Sequence, residues 1–239
     1  MRVFAPDDAW ILASEGKAGH WGGTRRRTVT LPARASALAG TAPDDLWAVG
    51  HRKGNATRGP LTQPAAMHWD GRSWRLLPTP VYRFPDPAPP EEGAQLLDVV
   101  ALSPKEAWTV GKHTFNHGEG GPEPAAPQPI LLRWDGSAWR RHPAPASSAC
   151  CAKLAVDGTG GILLSSSGVG LGNTWRLTPD GVMTRLSRMK VEVKVSRRQY
   201  GEIQAMTGIP GTGTVLAAGT LSARTWSRAA IAEFRANGE

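Results

Sequence analysis

A pair of short motifs recurs along the chain and limits its fold more than any other feature. The first reads Pro-Asp-Asp-Leu-Trp-Ala-Val-Gly at 43–50, and a close copy, Pro-Lys-Glu-Ala-Trp-Thr-Val-Gly, stands at 104–111. The second, Trp-Asp-Gly-x-x-Trp, stands at 69–74 and again at 134–139. Each motif joins short apolar runs through a turn sequence, which is the pattern of a β-hairpin. Two hairpins in succession predict one antiparallel sheet of four strands.

The two-hairpin unit can be traced five times, and its repetition predicts an all-β chain. A lone sheet cannot bury both of its faces, so neighbouring sheets must stack against one another. We expect a β-propeller of about five four-stranded antiparallel blades, forming a single domain over residues 1–239. The last blade is expected to be incomplete, because the sequence stops at Asn237-Gly238, where the turn into a fourth strand would lie. The predicted units cover about 1–34, 35–80, 94–145, 150–195 and 199–239.

The fourth and fifth units depart from the motifs. We assign Trp175 to the second-hairpin tryptophan position of the fourth unit, and Phe234 to the same position of the fifth. The segment Val191–Val195 alternates valine with charged residues, which is typical of a half-exposed strand. The hairpin pattern therefore persists where the motif itself has changed.

The repeated motifs resemble those of bacterial β-propeller repeat proteins described as kelch-like or WD40-like, many of them secreted or envelope-associated and without an assigned function. The resemblance covers nearly the whole chain. It implies radially arranged blades with loops gathered on two faces, and it implies no activity. The Asp and Gly of the second motif are adjacent at Asp70 and Asp135, unlike the spaced Asp-x-Gly-x-x-Trp of the sialidase Asp-box. Sialidase chemistry is therefore not supported.

The repeat also accounts for most tryptophans and for several paired acids. Packing between blades requires the same residue in every unit, whereas a ligand site needs unlike residues that converge. We therefore interpret the repeat tryptophans as core residues, and Trp226, which lies outside the pattern, as a candidate anchor for a partner. We interpret the charged pairs of the first-hairpin turn as turn formers rather than catalytic groups, because Asp side chains bond to nearby backbone. These pairs are Asp7-Asp8, Asp44-Asp45 and Lys105-Glu106.

Two segments in the middle of the second and third units have the most ligand-like content, and we expect both to be loops. If the two blades are built alike, these loops emerge on one face from neighbouring blades, where loops on a rigid scaffold commonly bind. The candidate binding residues are His51, Arg52, Lys53, Asn55, His113, Phe115, Asn116, His117 and Trp226. His113, His117 and Glu119 have metal-ligating side chains, but no helix fixes their spacing. We expect no metal and no cofactor.

Charge and cysteine content add little to the assignment. The net charge is +8, with short basic runs at Arg25–Arg27 and Arg140-Arg141 and a further group between 188 and 198. These runs suggest a polyanion partner, but a composition rich in Arg, Ala, Gly and Pro accounts for the charge better, since the basic residues do not form one long block. The two cysteines, Cys150 and Cys151, are adjacent and do not form a disulfide framework. The sequence contains no apolar run long enough to span a membrane.

We expect a non-enzymatic β-propeller scaffold that binds a protein or a cell-envelope glycan through the mid-blade loops. The sequence contains no G-x-S-x-G, P-loop or H-E-x-x-H motif. Two alternatives stay open, a hydrolase or lyase with its site in the central channel, and a polyanion-binding protein. An unclosed blade edge would favour self-association. We expect an extracellular or envelope location if the chain is a truncated product, and a cytoplasmic one if Met1 is the true start.

Overall fold

The fold consists of β-strands and connecting segments in the part of the chain that a computed structural model describes, residues 1–14, 16–54, 60–85, 91–115, 128–145, 152–165, 174–186 and 200–235. Within these residues no helix is long and apolar enough to cross a bilayer. The strands belong to two compact units, Met1–Pro143 and Ala144–Glu239. Several predictions fall outside the described residues, namely those on Asn55, Asn116, His117, Glu119, Cys150, Cys151, Val191–Val195 and Asn237-Gly238.

The first unit contains three antiparallel arrays of four strands, here sheets 1 to 3, and each follows chain order. Sheet 1 comprises β1 (Arg2–Ala5), β2 (Asp8–Ser14), β3 (Lys17–Trp21) and β4 (Arg26–Thr30). Sheet 2 comprises β5 (Arg34–Ala42), β6 (Asp45–Lys53), β7 (Thr62–Trp69) and β8 (Trp74–Leu77). Sheet 3 comprises β9 (Gly93–Ser103), β10 (Glu106–Thr114), β11 (Gln128–Trp134) and β12 (Trp139–Arg141). One parallel bridge, Thr62 to Gly93, joins sheets 2 and 3 edge to edge.

The second unit contains two further antiparallel sheets. Sheet 4 comprises β13 (Lys153–Val156), β14 (Ile162–Ser165), β15 (Thr174–Leu177) and β16 (Met183–Arg185). Sheet 5 comprises β17 (Tyr200–Gly208), β18 (Thr214–Ala223) and β19 (Trp226–Arg235). The prediction of an all-β chain built from antiparallel sheets is therefore confirmed.

The Asp-Gly turns form as their sequence predicts. The Asp70 Oδ1 atom accepts hydrogen bonds from the backbone N–H groups of Ser73 (2.8 Å) and Arg72 (3.0 Å). These bonds lower the pKa of Asp70, because they stabilise the ionised carboxylate. Gly71 has a φ of 84°, and Gly136 in the matching turn of sheet 3 has a φ of 90°. Glycine is required at both positions because other residues rarely adopt this backbone region.

The glycine that ends the first motif meets a β-bulge in the preceding strand. Gly50 lies opposite Ala35, where the β5–β6 register shifts, and Gly111 lies opposite Leu96, where the β9–β10 register shifts. A Cβ atom on either glycine would come within 2.9 Å of the Cα atom opposite. The motif therefore requires glycine for close backbone approach, a reason that the sequence alone does not reveal.

Tryptophans pack neighbouring sheets of the first unit together. The Trp10 ring of sheet 1 lies 5.0 Å from Trp69 and 5.7 Å from Trp74 of sheet 2, measured between ring centroids. Trp47 of sheet 2 repeats this geometry against the two tryptophans of sheet 3, Trp134 and Trp139, at 5.0 Å from each. Such pairs add about 0.5 to 1.5 kcal/mol each beyond the burial of apolar area. In the second unit, a smaller core forms from sheets 4 and 5.

Strand register corrects the assignment of Trp175. In sheet 2 the residue opposite Trp47 is His68, and Trp69 follows it. In sheet 4 the residue opposite Leu163, which takes the place of Trp47, is Arg176. Leu177 therefore occupies the second-hairpin tryptophan position, and the prediction for Trp175 was wrong by two residues. The error arose because the fourth unit has lost its first-hairpin tryptophan, so that only strand pairing fixes the alignment.

Candidate functional site

In four sheets, a carboxylate at or before the start of the second strand pairs with a basic side chain on the third strand. The shortest nitrogen–oxygen distances lie between 2.7 and 3.1 Å. The pairs are Asp8–His20, Asp45–His68, Glu106–Arg133 and Asp157–Arg176. The basic partner occupies the same register position in all four sheets, which indicates that these ionisable groups belong to the scaffold.

Each base in the first unit lies against the first-hairpin tryptophan of its own sheet. The ring centroids of Trp10 and His20 are 4.4 Å apart, and those of Trp47 and His68 are 4.5 Å apart. In sheet 3 the Arg133 guanidinium lies 5.4 Å from a Trp108 ring centroid. The carboxylate thus orients the base over the indole.

Sequence reasoning missed these pairs because it treated the acids as turn residues only. Asp8, Asp45 and Glu106 are each the first residue of a second strand, and their side chains reach across to the third strand. A signal was available, since a base directly precedes the second-hairpin tryptophan in the first three units, as in His20-Trp21. The acid that pairs with this base can be identified only from the strand register, which joins residues distant in sequence.

Asp157 is the most enclosed member of the set, with its side chain 0% exposed. Burial alone would raise the pKa of Asp157, but hydrogen bonds from Thr159, Arg176 and Gly161 together lower it below its usual value. The Arg176 Nε atom lies 2.7 Å from the Asp157 carboxylate. The carboxylate is therefore ionised at neutral pH and is saturated by structural donors.

A second buried pair stands outside the repeat, at the junction between sheets 2 and 3. The Nε2 atom of His113, on β10, lies 2.6 Å from Oε1 of Glu92, and each side chain is 2% exposed. The backbone N–H of Phe84 donates to the same Glu92 oxygen at 2.7 Å. The Phe84 ring stacks on the His113 imidazole, with centroids 3.9 Å apart. The pair thus ties a segment without regular secondary structure to the sheet.

That segment, residues 78–85, is here called the strap. The side-chain amide of Gln63, on β7, accepts from the Tyr82 N–H (2.9 Å) and donates to the Tyr82 carbonyl (2.7 Å). The Arg141 guanidinium lies 4.3 Å from the Tyr82 ring centroid and donates to the carbonyl of Val81. Burial raises the pKa of Tyr82, and the positive charge of Arg141 opposes that rise. Side chains of both sheets therefore hold the strap in place.

The strap alternates inward and outward side chains. Tyr82 and Phe84 turn toward the junction, and Phe84 also contacts Phe115 with ring centroids 4.9 Å apart. Val81, which is 62% exposed, and Arg83 face the solvent. Prolines at 78, 80 and 85 restrict the backbone, which reduces the entropy lost when a partner binds. The strap therefore presents an apolar and a cationic side chain from a fixed backbone.

Several predicted binding residues lie beside this junction, but on strands. His51, Arg52 and Lys53 end strand β6, and Lys112–Thr114 ends strand β10. For these six residues the loop expectation is wrong, because pairing with β7 and β11 extends the strands past the glycine of the motif. The rest of the two predicted loops, up to residues 58 and 119, lies almost entirely outside the described residues. His113 is buried, Phe115 is partly exposed, and His51 and Arg52 are half-buried.

Register brings the two segments into one transverse row. Lys53 pairs with Thr62, Thr62 bridges to Gly93, and Gly93 pairs with Thr114. Four adjacent strands span three spacings, or about 14 Å. The ends of β6 and β10 therefore reach the same edge of the joined sheets.

Trp226 is part of the fifth repeat and lies in the second unit. It is the first residue of β19 and pairs with Ala223 across a tight turn, which corrects its placement outside the repeat. Its ring is partly exposed, and the Arg228 guanidinium lies 5.5 Å from the ring centroid. Trp226 therefore belongs to the second unit, whereas the strap belongs to the first.

The Glu92–His113 pair is enclosed, and the described residues bring no set of metal ligands together. Among them, no three His, Cys, Asp or Glu side chains are grouped so that they could hold a metal ion. Glu92 and His113 are closed to solvent, so a substrate has no surface from which to reach either group.

The chain matches no protein-family model, and no curated protein is significantly similar to it. Among solved structures, a protein of unknown function from Bacteroides caccae is 11% identical, with 98% of this chain and 74% of that chain covered and a TM-score of 0.47. The N-terminal domain of Nup159 is 12% identical, with 96% and 63% covered and a TM-score of 0.45. A mutant of the Bombyx mori GH32 β-fructofuranosidase BmSUC1 in complex with sucrose is 15% identical, with 97% and 55% covered and a TM-score of 0.38. Because the identities and TM-scores are low, no partner or activity of these proteins is assigned to this chain.

Proposed function

We propose that the chain is a non-enzymatic β-propeller scaffold that binds an acidic, extended segment of a partner protein at the strap. The observation that carries the proposal is the anchoring of the strap. Gln63, Glu92 and Arg141 hold its backbone and inward rings, while Val81 and Arg83 face outward. A backbone fixed in this way is pre-organised for binding, because little ordering entropy is lost on association.

The charge around the strap supports an acidic partner. Arg83 and Arg141 are exposed there, and Lys53 is exposed at the edge where β6 ends. The carboxylate of Glu92, by contrast, is buried against His113. A partner carboxylate would meet guanidinium groups, which form the stronger charge-assisted hydrogen bonds. Complementary charge would also raise the rate at which the partner associates, and this rate would fall as the salt concentration rises.

Val81 supplies the apolar contact of the proposed surface. Covering a valine side chain contributes at most about 1.5 kcal/mol, so one such residue cannot sustain tight binding. We therefore expect a weak interaction that depends on both Val81 and Arg83, with the aromatic rings of Tyr82 and Phe84 as a rigid floor. Weak and specific contact is typical of small interfaces.

A selection from a phage-displayed library of random linear peptides tests the proposal. We expect enriched peptides to combine Asp or Glu with an apolar residue. Binding of these peptides should fall at least about tenfold with Arg83→Glu and with Val81→Asp. Matched controls make the same chemical changes elsewhere on the surface, Arg72→Glu in the turn of sheet 2 and Val182→Asp in the turn of sheet 4.

A glycan array probed with the same variants separates the alternative partner class. Carbohydrate binding lost with Arg83→Glu, together with failure of the peptide selection, would contradict a protein partner. Peptide binding unchanged by both strap variants would contradict the strap as the site.

A further inference from the structure

Two side-chain anchors hold the strap, and they differ in their chemistry. At the first anchor, the Gln63 amide bonds to both backbone groups of Tyr82. At the second, Oε1 of Glu92 accepts from the N–H of Phe84 at 2.7 Å and lies 2.6 Å from Nε2 of His113. An amide side chain does not titrate, whereas carboxyl and imidazole groups both take up protons as the pH falls below neutral. The second anchor is therefore the one that can respond to pH.

Burial makes that response costly for the closed strap. The side chains of Glu92 and His113 are each 2% exposed, and the Phe84 ring stacks on the imidazole. In acid both groups are protonated, which leaves an imidazolium ion beside a neutral carboxyl group. A buried charge without a charged partner is unfavourable unless water reaches it. Acid therefore favours a state in which the Phe84 end of the strap no longer covers the pair.

Protonation of Glu92 also weakens its hydrogen bond to the strap. The Oε2 atom of Glu92 is buried and accepts no hydrogen bond from any residue that the structure describes. A proton can thus add at Oε2 without displacing a donor. It removes the negative charge that strengthens the bond from the Phe84 N–H to Oε1. Both effects of acid act on the same end of the strap.

The buried carboxylate of Asp157 shows the contrast. Both of its oxygens accept hydrogen bonds, one from the Gly161 N–H and the other from Arg176. The guanidinium of Arg176 does not lose its proton in a protein. At Glu92 the donors reach one oxygen, and the basic partner is an imidazole that gains and loses a proton near neutral pH. The Glu92–His113 pair therefore has the chemistry of a switch, which the Asp157 site lacks.

Other charged or titratable side chains lie around the pair, and most of them keep their charge in mild acid. Those that neighbouring described elements turn toward the junction are Arg34 on β5, His51 and Lys53 on β6, Tyr82 on the strap and Arg141 on β12. The three cations are exposed, as is Glu91, so water screens them. His51 is the other imidazole at the junction, and its titration needs a separate control.

We propose that the Glu92–His113 pair is an acid-sensitive latch, which holds the Phe84 end of the strap at neutral pH and releases it in mild acid, while Gln63 keeps Tyr82 in place. The latch goes beyond the binding role proposed for the strap and does not depend on it, because release is observable in the free chain. A partner that needs the fixed strap would bind less tightly in acid.

Amide exchange of the full chain without any peptide, measured by NMR from about pH 7.5 to about pH 4.5, tests the latch. Each rate is divided into that of an unstructured chain at the same pH, which removes the intrinsic pH dependence of exchange. We expect protection of the Phe84 amide to fall at least about tenfold, in step with the titration of the His113 ring signals. The Tyr82 amide and those of β6 should stay protected. Constant protection of Phe84, or its loss together with Tyr82 and β6, overturns the proposal.

A pair of double variants identifies the titrating groups. Glu92→Gln with His113→Gln removes both protonatable groups but keeps hydrogen-bonding side chains at both positions, so the change in Phe84 protection should shrink to less than about twofold. Glu91→Gln with His51→Gln is the matched control, which makes the same changes beside the pair and should keep the wild-type response. A wild-type response in the first double variant, or a lost response in the control, overturns the assignment. If the first double variant does not fold, the comparison of Phe84 with Tyr82 in the wild type still decides.

Discussion

Asp8 and Asp45 occupy one repeat position and accept from equivalent histidines, yet their surroundings differ. The Asp8 side chain is 26% exposed, whereas that of Asp45 is 9% exposed. Asp45 also accepts a hydrogen bond from the hydroxyl of Thr41. Water screens a hydrogen bond to an exposed carboxylate more than one to a buried carboxylate. Burial, rather than the pairing itself, therefore sets the contribution of each pair to stability.

This difference predicts unequal costs of truncation. Asp45→Ala should lower the free energy of unfolding by about 1 to 2 kcal/mol, because two hydrogen bonds to a largely buried carboxylate are lost. Asp8→Ala should cost about 1 kcal/mol or less. Urea unfolding followed by tryptophan fluorescence measures both, because eight of the ten tryptophans lie in the first unit. Equal effects of the two substitutions would contradict the role assigned to burial.

Asp157 predicts an acid-dependent stability of the second unit. Its pKa is lowered in the folded state, so the unfolded chain takes up the proton first as the pH falls. The stabilisation from Asp157 is complete above the usual aspartate pKa of about 4 and is lost as the pH falls through the folded value.

Asp157→Asn should therefore destabilise the second unit at neutral pH. Below about pH 4, the stability of the variant should fall less steeply with pH than that of the wild type. Thermal unfolding by circular dichroism at several pH values checks this. If the unfolding temperature of Asp157→Asn fell with pH as steeply as that of the wild type, groups other than Asp157 would cause the loss of stability in acid.

At the level of the elements, the glycine and bulge pairs hold the first two strands of a sheet together. Gly50→Ala should lower stability by about 3 kcal/mol, because the added Cβ would overlap the β5 backbone and force it apart. Gly22→Ala is the matched control, since a Cβ there meets no atom closer than 4.0 Å. Comparable losses in the two variants, measured by urea unfolding, would contradict the close-approach explanation.

Turn chemistry made the hairpins predictable from sequence, because Asp70-Gly71 and its copy in sheet 3 fix local backbone geometry. The lengths of β6 and β10 were not predictable, since partners distant in sequence extend them. The contacts of the strap with Gln63 and Glu92 were not predictable, because a proline-rich segment has the composition of a linker. Those contacts depend on how the two sheets meet, which local patterns do not encode.

At the scale of the whole chain, one packing rule recurs between sheets of the first unit. A first-hairpin tryptophan covers the tryptophans of the next sheet, as Trp10 and Trp47 both do. The repeated residues are therefore part of the scaffold. For the tryptophans, the repeat in the sequence was enough to predict this role. Residues that interrupt the repeat, above all Val81, Arg83 and the Glu92–His113 pair, are where recognition is proposed.

The most direct measurement is residue-resolved amide exchange across the strap by NMR, in the free protein and with a selected peptide. We predict that the amides of Tyr82 and Phe84 are protected at least about hundredfold in the free protein, and that Gln63→Ala removes protection from Tyr82 alone. The peptide should shift the signals of Val81 and Arg83. Exchange of Tyr82 and Phe84 at the rate of an unstructured chain, or peptide-induced shifts confined to other residues, would contradict a pre-organised binding strap.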